Sequence, residues 1–330
     1  MPGLKKIIIC VFSIILLIQG CGNPSSAKVT MTDFYLNTVV SVTVYEPMGT
    51  TAIYSAEELC KKCLEMTAGY EKIFSKTIEG SDIWNINHSN GNPVTVSADT
   101  IELLKAAIFY AEMSDGLVDP TIGPLSSLWN FSENKKTVPS DEEIRKALSH
   151  VNYKNITIND CQVTLTDPDA RIDLGFIAKG YIADCLKEYL CSQNVSGAII
   201  NLGGNVQTIG NKPDNTPYKV GIQKPFSETG TALLSIPVTD KSVVSSGNYE
   251  RFFQVNDTLY HHILSTRDGY PVKSDVSQVT IINDSSVDGD ALSTLCFILG
   301  YEDGLSLIES LPDTEAIFVM KDGTIQKTFP

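Results

Sequence analysis

The 330-residue sequence is short of positive charge: Lys and Arg total 25 against 39 Asp and Glu, a formal charge of -14. A chain with that balance has no sequence-independent attraction to a phosphate backbone, which excludes general nucleic-acid binding. Small phosphorylated ligands stay open, provided a metal ion or local donors neutralise them. Long apolar runs are missing as well. The run from Ile7 to Ile18, broken by Ser13, falls well short of the about 20 residues that span a bilayer. Residues 29–330 contain no internal repeat, no low-complexity block and no Pro/Ser-rich linker, so nothing marks a domain boundary inside them. Cys60-x-x-Cys63 has no second pair at zinc-like spacing, which removes the usual four-ligand zinc reading. What is present, 42% hydrophobic and 19% charged residues, describes a folded globule with ample core.

The N-terminus reads as an export signal, with Lys5 and Lys6 ahead of the short apolar run. The run ends in Ile18-Gln19-Gly20-Cys21, which resembles the lipobox of bacterial lipoproteins, in which the cysteine is lipidated and becomes the new N-terminus. The expectation is a signal peptide over 1–20, a lipid-bearing Cys21 with a polar tether over 21–28, and a single domain over 29–330 outside the cytoplasmic membrane. Cys60 and Cys63 fall in a helical pattern with Leu59, Met66, Tyr70 and Ile73, so they are expected to be buried thiols.

Helices are expected at Ser55 to Phe74, where Ser55 and Glu58 form a capping box, at Thr100 to Ser114 with Gly116 as a stop, and from Ser140 with Glu143. Two more are expected at Ala178 to Gln193 and at Asp290 to Leu299. Strand patterns occupy Thr38 to Tyr45, Ile156 to Leu165, Ala198 to Asn201, Tyr218 to Ile222, Leu233 to Val238, Arg251 to Leu264, Val276 to Ile282 and Ala316 to Thr328. Strands outnumber helices and many are joined by short turns. That favours an α+β fold with mainly antiparallel sheet over a doubly wound parallel one.

Five segments carry more Gly, Asp and Thr than packing requires. Asp115 to Leu125 is a Gly/Pro-rich stretch after a helix. In Ile172 to Tyr181 a strand runs into a helix start carrying Asp173 and Lys179, a setting that suits a phosphate. Asn201 to Asn205 ends a strand in two glycines, where a backbone is able to approach a ligand closely. Ser245 to Arg251 precedes the adjacent His261 and His262, of which at most one faces a given site on a strand. Asp290 and Thr294, four apart in the expected first turn of a helix, share a face. Together they are a hard oxygen pair suited to Mg2+.

In this order the segments resemble the ApbE family, the FAD:protein FMN transferases, over about Met31 to Phe329. The resemblance also includes Thr38 to Thr43, Phe74-Ser75 with Ser81 and Asn87, and Gly269 to Val272. It implies an ApbE-like, T-fold-like single domain of two lobes, with mainly antiparallel sheet and flanking helices. It further implies that Asp290, Thr294 and the backbone carbonyl of Phe176 hold Mg2+ on the pyrophosphate of FAD. Asp173, Lys179, Leu36, Leu117, Val118, Asp119 and Leu264 would contact FAD, and His262 would lie near the reacting phosphate. Leu36-Asn37-Thr38 stands where Met-Gly-Thr is common in the family, and Phe176 where a small residue is usual.

The implied reaction attaches FMN through a phosphoester to a Thr or Ser of an exported redox protein or subunit, with release of AMP. Proton acceptors for that hydroxyl are His262 and Asp288. Two other uses of the site are open at this point. In an FAD pyrophosphatase water attacks instead, giving AMP without protein-bound flavin; a flavin-binding lipoprotein would retain FAD and release no AMP.

Overall fold

The structure, a computed structural model, describes residues 28–46, 54–131 and 136–330. The expected signal, Cys21 and the tether up to residue 27 lie outside them. Among the described residues no helix is long and apolar enough to cross a membrane.

The strands are β1 (Lys28–Tyr35), β2 (Thr38–Tyr45), β3 (Val94–Thr95), β4 (Ile156–Asn159), β5 (Gln162–Leu165), β6 (Gly197–Leu202), β7 (Asn205–Gly210), β8 (Tyr218–Gln223), β9 (Ala232–Val238), β10 (Ser242–Gly247), β11 (Phe252–Val255), β12 (Thr258–His261), β13 (Val276–Asn283), β14 (Glu315–Met320) and β15 (Ile325–Lys327). The helices are α1 (Ala56–Phe74), α2 (Asp82–Asn87), α3 (Ala98–Met113), α4 (Gly123–Trp129), α5 (Asp141–Leu148), α6 (Ala178–Ser192), α7 (Ser286–Leu299) and α8 (Tyr301–Ser310). Eight strands form one sheet in the order β1-β2-β6-β7-β10-β13-β14-β15, and every pairing in it is antiparallel. The α+β expectation therefore holds.

The two faces of the sheet are covered differently. On one, Val42 and Val44 of β2, Ile200 of β6, Ile281 of β13 and Phe318 of β14 pack with Leu59 and Cys63 of α1, Leu186 and Leu190 of α6, and Leu292 and Leu295 of α7. Burying one such side chain stabilises the fold by about 1.5–3 kcal/mol. The opposite face uses Val206, Val243, Ile282 and Ile317 against Val220, Ile222, Ile236 and Val238 of the β8–β9 hairpin. With both faces covered, β13 is buried along its whole length, and its β-branched Val and Ile residues suit that position. A third cluster, Leu125, Trp129, Ile144, Phe253 and Leu264, lies away from these under α4, α5 and the β11–β12 ribbon.

Local chemistry explains most boundaries. The capping boxes Ser55/Glu58 and Ser140/Glu143 both form. Two helices start earlier than the sequence suggests. Ser97, not Thr100, caps α3, its side chain accepting from the Thr100 N–H. Ser285 caps α7 through the Asp288 N–H, so this helix begins at Ser286 and Asp290 stands beyond its first turn. The polar Ser285-Ser286 and Gly289 resemble a loop in sequence, and packing against β10 and β13 overrides that propensity. Strands β1, β3, β7 and β10 and helices α2, α4 and α8 were not expected from the pattern; β7 and β10 carry buried polar residues that break the apolar alternation.

Candidate active site

Asp290 is 3% exposed and stands where the N-terminal end of α6 meets α7. Its Oδ1 lies 3.2 Å from Lys179 Nζ, and its Oδ2 accepts the Gly180 N–H at 2.9 Å. Gly180 allows this approach, because a Cβ there would sit 2.2 Å from the Ser286 carbonyl oxygen. Thr294, one turn after Asp290 on the same face, shares a hydrogen bond with Ser246 of β10 at 3.1 Å, and Ser246 also meets Ser293 at 2.8 Å. Since the Gly180 N–H is directed to Asp290, the helical partner that would otherwise take up the Phe176 carbonyl is turned elsewhere. The Asp290 carboxylate beside Lys179, the Thr294 hydroxyl one turn on and the Phe176 carbonyl just before α6 are hard oxygens of the kind that fits Mg2+.

Asp173 leads into the same corner from the other side. Its Oδ2 accepts from Lys76 Nζ and Ser126 Oγ, each at 2.6 Å, and its Oδ1 accepts the Gly175 N–H at 3.0 Å. Burial would raise this carboxyl, but the Lys76 ammonium and the hydrogen bonds override it and hold it below the usual range. The peptide from Asp173 to Phe176 is thereby anchored immediately before α6.

The adjacent histidines part as strand geometry requires. His261 is buried edge-on against Phe297, with Nε2 3.0 Å from the Val272 carbonyl oxygen, and burial pushes it down to about 4. His262 turns to the other side, in the electrostatic reach of Arg251 and Lys179; burial first, then these cations, push it down to about 3. It is a neutral imidazole at physiological pH. Glu250 faces the same surroundings. Its side chain is exposed to solvent. Nearby protein that displaces water, with the Asp290 charge, pushes its carboxyl up to about 7 against the pull of Lys179 and Arg251.

Other expected contacts are placed differently. Asp288 is rotated about 200° from Asp290 around α7 and accepts from the Tyr110 hydroxyl at 2.6 Å. Asp119 is 5% exposed, and both its oxygens are occupied: Oδ1 by the Thr121 N–H and hydroxyl, Oδ2 by the Tyr153 N–H. Its side chain organises the loop, Val118 is buried in the main core, and Leu264 is buried in the third cluster. At these three positions only the backbone is available to a ligand. The same loop is joined to the segment after β12 by Thr266 Oγ1, which donates to the Gly116 carbonyl at 2.7 Å, so Leu117 and the Leu264 region are neighbours. Leu36 and Asn37 form the two-residue β1–β2 turn with φ 56° at both. Left-handed backbone is unusual for leucine, and here the Leu36 N–H is held by Glu71 Oε1 at 2.7 Å.

The profile of the ApbE family matches residues 36–318. The FAD:protein FMN transferase of Klebsiella pneumoniae is 36% identical over 282 residues, covering 84% of this chain and 87% of that protein. This chain belongs to the ApbE family. The FAD:protein FMN transferase of Treponema pallidum is 30% identical over 326 residues, 94% of this chain and 89% of that protein. The ApbE protein from Thermotoga maritima superposes with a TM-score of 0.83 at 33% identity, covering 91% of this chain and 97% of that one.

Several residues of this ApbE site escaped the sequence reading. Lys76 directly follows the Phe74-Ser75 element, but nothing in that Ser/Thr-rich turn indicates that its side chain reaches Asp173. Ser246, Glu250 and Arg251 lie in a segment whose composition is informative, but nothing in it indicates which side chains turn toward Lys179 and which away. The buried cysteine expectation is met: Cys60 and Cys63 are buried and free, and burial pushes their thiols up to about 11 and about 12.

Proposed function

We propose that this protein is an FAD:protein FMN transferase that works with Mg2+ and modifies a Thr or Ser of an exported redox protein or subunit. The observation that carries the reading is the buried Asp290 carboxylate held by Lys179 and the Gly180 N–H, with Thr294 one turn on, in a chain of the ApbE family. In the proposed reaction the acceptor hydroxyl oxygen bonds to the FMN-side phosphorus of FAD, the pyrophosphate P–O bond breaks, and AMP leaves with the electron pair. Asp290, Thr294 and the Phe176 carbonyl would hold Mg2+, which would neutralise charge developing on the pyrophosphate. Lys179 supplies a fixed positive charge at the same place. Its contact with Asp290 also orients the carboxylate.

The acceptor hydroxyl must lose a proton. Of the two candidates, Asp288 is engaged by Tyr110 on another side of α7, whereas His262 is neutral and shares the neighbourhood of Lys179. We therefore assign His262 as proton acceptor. Its low proton affinity in the free protein rises when negative phosphate approaches, because the nearby cations are then compensated. Asp173, held by Lys76 and Ser126, keeps the peptide before α6 in place, and Leu36, Leu117 and the backbone at Val118, Asp119 and Leu264 are the remaining proposed FAD contacts. Lipidation at Cys21 would keep the enzyme on the extracytoplasmic face of a bacterial membrane, beside exported acceptors.

The test is incubation with FAD, Mg2+ and a candidate exported redox subunit, followed by mass spectrometry. An FMN-sized mass increase on the acceptor is expected. AMP release without that increase would refute the transfer reading. Asp290→Ala should lose Mg2+-dependent transfer, and full flavinylation by that variant, seen by in-gel flavin fluorescence, would remove Asp290 from the assignment.

A further inference from the structure

Four buried side chains with unpartnered atoms line up beneath the start of α7. Ser242 of β10 pairs directly with Gln207 of β7 and with Asn283 of β13, so the three side chains project from one face of the sheet. Asn205, two residues before Gln207, shares that face, and its Oδ1 accepts from Ser286 Oγ of α7 at 2.7 Å. This is the helix side. Asn205, Gln207, Ser242 and Asn283 are 1%, 0%, 0% and 5% exposed. Each nevertheless has one atom without a protein partner: Asn205 Nδ2, Gln207 Oε1, Ser242 Oγ and Asn283 Oδ1. Overhead is Gly289, where a Cβ would lie 3.3 Å from Asn283 Oδ1 and 3.5 Å from Ser242 Oγ. The α7 backbone at Gly289 closes the row from above, with the Val244 Cγ2 methyl beside it, 2.9 Å from where that Cβ would lie.

Buried polar atoms in folded proteins are nearly always paired, with protein or with ordered water. The chemistry of this row selects its occupant. It offers one amide donor, two carbonyl-type acceptors and a hydroxyl that does either. An apolar ligand would satisfy none of them, and a cation would face the amide hydrogens of Asn205. Water both donates and accepts. We propose that the row is an internal hydration site, in which one or two ordered waters bridge β7, β10 and β13 beneath α7. Asp290 follows Gly289 directly, so the hydrated row sets the height at which that carboxylate stands above the sheet. The inference is independent of the transferase reading.

A high-resolution crystal structure of the protein tests it. Water density is expected within about 2.7–3.2 Å of at least three of the four atoms. Absence of density, with the four side chains paired among themselves, would overturn the proposal, and so would an anomalous peak there after a rubidium soak. Ser242→Val gives a second readout in solution. In a hydrated site the added methyls displace water and strand Asn205, Gln207 and Asn283, so the Tm should fall about 5 °C further than in Ser242→Ala. In a dry site the methyls fill a void, and a Tm equal to or above that of Ser242→Ala would count against the waters.

Discussion

Adding one methyl group at Gly180 tests the packing argument on which the site rests. The new carbon would stand 2.2 Å from the Ser286 carbonyl oxygen and 2.6 Å from Val287 Cα. Both are backbone atoms, so neither is able to swing aside, and α6 must draw back from α7 by about 1 Å to restore ordinary contact. Overpacking of this kind costs about 1–3 kcal/mol. Disturbing the Gly180 N–H bond to the charged Asp290 adds about 1.5–3 kcal/mol. A total of about 2.5–6 kcal/mol should lower the Tm of Gly180→Ala by roughly 5–24 °C. Flavinylation, followed by in-gel fluorescence, should fall by about a hundredfold, since a displacement of about 1 Å at a reacting centre has that order of effect. Gly69→Ala is the control. It makes the same chemical change in the exposed interior of α1, where nothing lies within 4 Å, and should stabilise by about 0.5–1 kcal/mol. A Gly180→Ala protein with unchanged Tm and unchanged transfer would refute the claim that this close approach holds Asp290.

His262 titrates near 6.5 when unfolded and is pushed down to about 3 when folded, so between those values the unfolded chain binds more protons and stability falls as pH is lowered. His262→Gln should flatten the pH dependence of urea unfolding between about pH 6 and 4. Glu250 acts in the opposite sense: its carboxyl, raised from 4.5 to about 7, contributes stability below its unfolded value that is lost as pH rises through 7. Glu250→Gln should therefore steepen the gain in stability from about pH 5 to 7, and an unchanged slope would contradict a raised carboxyl at this position. Cys60 and Cys63 should resist a thiol reagent until the protein unfolds, while the exposed Cys161 and Cys191 react in the native state; labelling at Cys60 without unfolding would be the contrary result. Lys76→Met should raise the KM for FAD by about tenfold with a smaller change in kcat, and Lys76→Arg should largely restore it, if Lys76 acts by positioning Asp173.

What the sequence made legible was local chemistry. Ser55 with Glu58 and Ser140 with Glu143 announced two helix starts. The four-residue spacing of Asp290 and Thr294 placed them on one helix face even though the helix start was misjudged. Partnerships created by register were not legible. Ser246 meets Thr294 because β10 lies beneath α7, across 48 positions of chain, and Lys76 meets Asp173 across 97. Direction was also hidden. Asp119 lies in a ligand-like motif, yet its carboxylate is consumed by Thr121 and Tyr153, because a loop that turns so sharply must satisfy its own N–H groups. The buried polar row was invisible for a related reason: Gln207, Ser242 and Asn283 become one feature only when three strands align.

The strand order of the large sheet has a consequence in time. Reading across it from β1 to β15, each strand comes later in the chain than the one before. Among the described residues the other elements, α1 to α6 with β3 to β5, the β8–β9 hairpin, the β11–β12 ribbon, and α7 with α8, are inserted between strands that are already neighbours in this order. Such an order permits assembly by accretion at one edge, with no strand required to enter between two others. β13 and α7 are synthesised after α6 and β10, so Asp290 and Thr294 follow their lysine and serine along the chain. Pulse-labelling hydrogen exchange during refolding should find α7 amides protected after those of β2 and β6, so competence for chemistry would be among the last properties the chain acquires.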